Sequence, residues 1–128
     1  TGKMVDTVPL GESPELFDLS PDGKVAYVSI EDDSVLAAYD LASKKQLFAV
    51  KTGGEPEGAL ISRDGKQAYV TSEEANVVHV VDLATKKIVK KYTKYNCNKI
   101  SYVKINKITA KSRPIIKIDG KKKVSLLY

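Results

Sequence analysis

Apolar residues arrive in short bursts, each bounded by glycine, proline or a cluster of acidic side chains. Val25–Ile30 (VAYVSI), Val35–Asp40 (VLAAYD) and Gln46–Lys51 (QLFAVK) are of this kind, and so are Ala59–Ser62, Gln67–Ser72, Val77–Asp82 and Ile88–Tyr92. They are rich in β-branched and aromatic residues, which suit a pleated surface. The breaks fall too often for helices, so the pattern predicts strands. Glu15–Ser20 reads as a further strand, closed by Pro21-Asp22-Gly23. Proline presets φ for such a turn, aspartate bonds its own backbone, and glycine accepts positive φ.

These bursts repeat. A shift of 42 residues lays Gly11 on Gly53, Pro14 on Pro56, Glu15 on Glu57 and Ser20 on Ser62. It lays Asp22-Gly23-Lys24 on Asp64-Gly65-Lys66, Ala26-Tyr27-Val28 on Ala68-Tyr69-Val70, and Asp40-Leu41-Ala42 on Asp82-Leu83-Ala84. With Glu31/Glu73, Val35/Val77 and Lys44-Lys45/Lys86-Lys87, 17 positions coincide between residues 11–52 and 53–94, without a gap. Each unit reads as four strands. Thr1-Gly2-Lys3 falls on Ser43-Lys44-Lys45, so residues 1–10 read as the last strand of a partial unit. Beyond Lys94 the expected Gly and Pro are replaced by Tyr95 and Asn98, and residues 95–128 form a divergent tail. Within it Ile100–Asn106 alternates like a strand, and Pro114–Asp119 with Lys121–Tyr128 predicts a hairpin turning at Asp119-Gly120.

Periods of 40 to 45 residues with four strands each are the mark of propeller blades. The stretches GESPELFDLSPDGKVAYVS and GEPEGALISRDGKQAYVTS, the second running on to ANVVHVVDLATKK, resemble the YVTN family of β-propeller repeats. The second unit is especially similar to blades of propeller proteins associated with pyrroloquinoline-quinone-dependent catabolism. The resemblance spans residues 1–94, with Arg63 in place of the expected proline. It implies an all-β fold: two four-stranded antiparallel blades of 42 residues, at 11–52 and 53–94, one partial strand before them, and a β-rich tail. It also implies a periplasmic or extracellular setting.

Charge sharpens the boundary. Residues 1–89 hold nine basic and fifteen acidic side chains, a net of −6, whereas residues 90–128 hold twelve basic side chains and only Asp119, a net of +11. A single cysteine, Cys97, excludes an internal disulfide framework and a cysteine-built zinc site. No apolar run approaches the length of a membrane-spanning helix.

Candidate chemistry is sparse. The Gly-x-x-Pro loops would lie at one rim of a propeller, where such scaffolds carry ligands, and Glu12, Glu15, Glu55 and Glu57 are the binding candidates there. Asp22-Gly23 and Asp64-Gly65 read as structural turns, and so do Asp40 and Asp82, because duplication at a fixed offset suits a backbone task better than a catalytic one. The acidic connections Glu31-Asp32-Asp33 and Glu73-Glu74 lack the alternating ligands and central glycine of a calcium loop and read as solvated. His79, the only histidine, takes the place of Ala37 in the first unit. Alone it is a poor ligand set and reads as a packed side chain. No catalytic residue, metal or cofactor is called for.

The expected function is a non-catalytic binding or scaffold module, a fragment of a larger propeller whose partners are other blades or protein subunits, including further copies of the chain. A fragment of a propeller enzyme, quinone- or haem-linked or lactonase-like, is the rival. Nucleic-acid binding through the lysines and tyrosines of the tail is the weakest reading, since no nucleic-acid motif accompanies them.

Overall fold

The computed structural model describes residues 4, 6–93, 115–119 and 123–127. The chain divides into two compact units, Thr1–Thr93 and Lys94–Tyr128. The first holds eight strands: β1 (Pro14–Leu19), β2 (Val25–Ile30), β3 (Val35–Asp40), β4 (Gln46–Lys51), β5 (Pro56–Ile61), β6 (Gln67–Ser72), β7 (Val77–Asp82) and β8 (Lys87–Thr93). They form two antiparallel meanders, β1-β2-β3-β4 and β5-β6-β7-β8. In the second unit β9 (Ile115–Asp119) pairs antiparallel with β10 (Lys123–Leu127), with Lys123 opposite Asp119. Among the described residues no helix is long and apolar enough to cross a membrane. Residues 6–10 belong to no strand, and Ile100–Asn106, Gly120 and Cys97 lie outside the described residues.

The 42-residue period holds down to individual hydrogen bonds. Gly23 N–H donates to Ser20 C=O and Gly65 N–H to Ser62 C=O, at 2.8 and 2.9 Å. Lys44 N–H donates to Asp40 C=O and Lys86 N–H to Asp82 C=O, both at 2.8 Å. Backbone handedness repeats as well: Ser13/Glu55, Ser34/Asn76, Lys44/Lys86 and Gly23/Gly65 all have positive φ. Each sheet is bulged in its first strand, between Pro14 and Phe17 and between Pro56 and Ala59. The bulges explain why β1 and β5 start earlier than the apolar pattern suggests. Proline lacks an N–H but tolerates the first place of an edge strand. A hydroxyl of the neighbouring strand then mends the ladder. Ser29 Oγ accepts from Leu16 N–H at 3.1 Å, and Thr71 Oγ1 from Gly58 N–H at 2.7 Å.

Register assigns each strand residue to a face. In the first sheet Tyr27, Ala38 and Phe48 stand side by side, as do Leu36 and Val50, on one face. In the second, Ile61 pairs with Ala68, and Ala68 with Val81. These two faces meet in one buried cluster of Tyr27, Leu36, Ala38, Val50, Ile61, Ala68, Val70, Val81 and Leu83. The opposite face of the first sheet carries a second cluster, Ala26, Val28, Ile30, Val35, Ala37 and Tyr39, with Val8, Leu19 and Leu41 packed against it.

Polar bonds cross the joint between the sheets. Asp18 Oδ2 accepts the Ile61 N–H at 2.8 Å, and the buried Ser29 hydroxyl donates to the Glu57 carbonyl. The Lys86 ammonium of the second sheet sits 5.0 Å above the Phe48 ring of the first. Phe48 itself meets Tyr27 edge-on, with centroids 6.4 Å apart.

Asp18→Leu places at position 18 the residue type that position 60 carries in the second unit. It strands the Ile61 N–H, and the expected cost is about 1–3 kcal/mol. Urea unfolding followed by far-UV circular dichroism measures it. A variant as stable as the parent would show that this bond contributes nothing to the joint.

Candidate functional site

Acidic side chains gather where the two sheets meet. Glu15 opens β1 beside Pro14, which pairs with Ile30, and Glu31 follows Ile30 directly. The Glu31 N–H donates to Ser13 C=O at 2.9 Å, which ties this connection to the loop before β1. In the second unit Glu73 N–H donates to Glu55 C=O at the same distance. The pKa of Glu31 stands above the usual carboxylate range. The largest cause is a hydrogen bond shared with Glu15; burial and the negative charges of Glu15, Glu55 and Glu57 follow. Two carboxylates share a hydrogen bond only if one holds a proton, which is why the pKa rises.

Three of the four carboxylates that the sequence singled out, Glu15, Glu55 and Glu57, therefore lie near enough to Glu31 for their charges to act on it. Glu55 is exposed and Glu57 half-buried. Glu12 is exposed and is not among the charges that act on Glu31. The linear pattern places Glu31 in a solvated connection, because adjacency across a strand pair is invisible in it. Only its place one residue after the β2 strand, opposite the start of β1, could have pointed to it. Among the described residues no group of three or more His, Cys, Asp or Glu side chains is arranged to hold a metal ion.

The duplicated aspartates lie in turns away from this cluster. Asp22 Oδ1 accepts from the Ser20 hydroxyl at 2.6 Å and from Lys24 N–H at 3.2 Å, and Asp64 does the same with Ser62 and Lys66 at 2.7 and 3.1 Å. Ser20 and Ser62 are partners that the Pro-Asp-Gly turn pattern does not reveal. Each hydroxyl also accepts a strand amide, Val25 N–H or Gln67 N–H, at 2.9 Å. Asp40 accepts Ser43 N–H at 2.6 Å, and Asp82 accepts Thr85 N–H at 2.7 Å and the Thr85 hydroxyl at 2.8 Å. Hydrogen bonds to Ser20 and Ser62 lead in holding Asp22 and Asp64 below the usual carboxylate range. Ser43 does so for Asp40, and the Thr85 N–H for Asp82. Their ionised forms are therefore favoured in the fold. This contribution is present above the ordinary aspartate range and is lost as pH falls through the lowered native values. Gly23 and Gly65 supply the positive φ of these turns, and a Cβ on Gly65 would stand 3.1 Å from Pro21 Cδ, so the turns of the two sheets touch.

Comparison with solved structures decides what the sheets are. Over 72% of this chain and 27% of its own, hydrazine synthase from Kuenenia stuttgartiensis superposes with a TM-score of 0.62 at 26% identity. The β-propeller domain of Swd1 from Myceliophteria thermophila gives 0.62 at 15% identity, over 70% of this chain and 28% of that one. The two sheets are β-propeller blades. The dihydro-haem d1 dehydrogenase NirN is similar over 62% of the chain and 17% of its own, at 22% identity and a TM-score of 0.56. This chain spans less than a third of each of these structures. No family model and no curated protein matches it. Two blades do not close a ring, so the blades form part of a propeller that needs others.

Ser34 connects the second and third strands of the first blade at φ 53°, a region that costs a side-chain-bearing residue free energy. Ser34→Gly is expected to raise stability by about 0.5–1 kcal/mol, after the entropy of glycine is subtracted. Thermal unfolding reads the change. A lower melting temperature would contradict the assignment of strain.

Proposed function

We propose that the two blades are a non-catalytic binding and scaffold module, a section of an extracytoplasmic propeller that offers an acidic rim to a cationic partner. The observation that carries this reading is that Glu31 feels the negative charges of Glu15 from its own blade and of Glu55 and Glu57 from the next. Negative charges that raise the Glu31 pKa disfavour one another, and a nearby cation relieves that repulsion. Primary amines or guanidinium groups of a protein surface have the right chemistry, since they bring donors as well as charge. The periplasmic or extracellular placement rests on the repeat's resemblance to the YVTN family.

A propeller-enzyme section is the second reading, favoured by the likeness to hydrazine synthase at 26% identity. Its mark would be a spectral change or heat on titration with haem or a quinone, and a silent titration counts against it.

The acidic rim makes its own demand. Calorimetry at low salt with spermine and with a lysine-rich peptide is expected to show binding that weakens as salt is added. Because a carboxylate attracts a cation and a carboxylic acid does not, affinity rises as pH climbs through the raised Glu31 range. The double variant Glu31→Gln with Glu57→Gln should weaken binding about tenfold. No heat with either probe, or equal affinity in the variant, would overturn the assignment.

A further inference from the structure

His79 stands on the face of the second blade that meets the first, and the residue is 2% exposed. By register it lies opposite Val70 on one side and Lys91 on the other, on the face that sends Val70 and Val81 into the shared core. Its Nδ1 is buried with no hydrogen-bond partner among the described residues. The same holds for Oγ1 of Thr52, a fully buried residue in the link between β4 and β5. Gly53, next along that link, comes so close that a Cβ there would stand 3.6 Å from His79 Cε1 and 3.8 Å from Ser72 Oγ. The imidazole is thus wedged between the second blade and the segment that ties it to the first.

The surroundings offer a cation nothing. The register neighbour of His79 on β6 is Val70, a member of the apolar cluster between the sheets. From β8 comes Lys91, which carries the same sign as an imidazolium. Burial first, and Lys91 second, hold the imidazole pKa below its ordinary value. A neutral ring tolerates this environment. A protonated one leaves a buried N–H without an acceptor.

We propose that the blade joint is acid-sensitive, because protonation of His79 sets an unpaired cation beside Lys91 at the inter-blade link and loosens the packing of the second blade on the first. In the unfolded chain histidine takes up its proton near pH 6.5, while the folded joint resists it. Stability is therefore complete above that pH and is lost as pH falls from there through the lowered native value.

The full chain tests this directly. Urea unfolding by circular dichroism is expected to show a lower midpoint at about pH 5.5 than at about pH 7.5. In His79→Val and His79→Ala, the second of which restores the alanine found at position 37, that difference should shrink by at least about half. As the only histidine of the chain, His79 also gives one resolved imidazole signal in proton NMR. Its titration in the folded protein is expected below about pH 6.5. A native titration at or above that value would overturn the proposal, and so would variants that keep the full pH dependence of the parent. If neither variant folds, the imidazole titration of the unaltered protein decides alone.

Discussion

Burial of one sheet face against the next is the constraint on which the rest of this chain depends. A four-stranded meander with apolar side chains on both faces cannot bury them by itself. The first blade gives one face to the second, and Tyr27, Leu36, Ala38 and Val50 close over Ile61, Ala68, Val70 and Val81. Apolar contact alone would let the sheets slide. Directional bonds prevent it: the Asp18 carboxylate on the Ile61 amide, the Ser29 hydroxyl on the Glu57 carbonyl, and the Lys86 ammonium over Phe48. The acidic rim follows from the same joint, because only packed blades bring Glu55 and Glu57 to Glu15 and Glu31.

The 42-residue repeat makes most of the architecture legible in the sequence. Positions identical in both units are those that each blade needs for itself. Asp22/Asp64 and Asp40/Asp82 close turns, and Gly23/Gly65 supply left-handed backbone. Such tasks are local, and local tasks leave a mark in sequence. The bulges of β1 and β5 were hidden, because the hydroxyls that mend them, Ser29 and Thr71, sit thirteen residues away on the next strand.

The joint was hidden for a complementary reason. Its chemistry lies where the two units differ. Asp18 corresponds to Leu60, Phe48 to Lys90 and Ala37 to His79. Each difference reflects what the face meets. Asp18 faces an edge amide of the next blade, Phe48 faces a lysine, and His79 is set against the link. Alignment of the repeats marks such positions only as mismatches. The outer face of the second blade, with Leu60 and Lys90 where the first has Asp18 and Phe48, is accordingly not equivalent to the one that forms the joint. A ring of identical copies would have to pack Lys90 where Phe48 now lies, with Lys44 in the place of Lys86. That juxtaposes two ammonium groups in place of a ring and a cation.

The most direct test of the joint is the exchange rate of one amide. Ile61 belongs to β5, the edge strand of the second sheet, and its N–H turns to Asp18 on the first blade. An edge amide without such a partner exchanges with solvent through local opening. Native-state hydrogen exchange is predicted to find the Ile61 amide as well protected as those of the central strands β6 and β7. Exchange at the rate of an open strand edge would contradict the packed pair of blades described above.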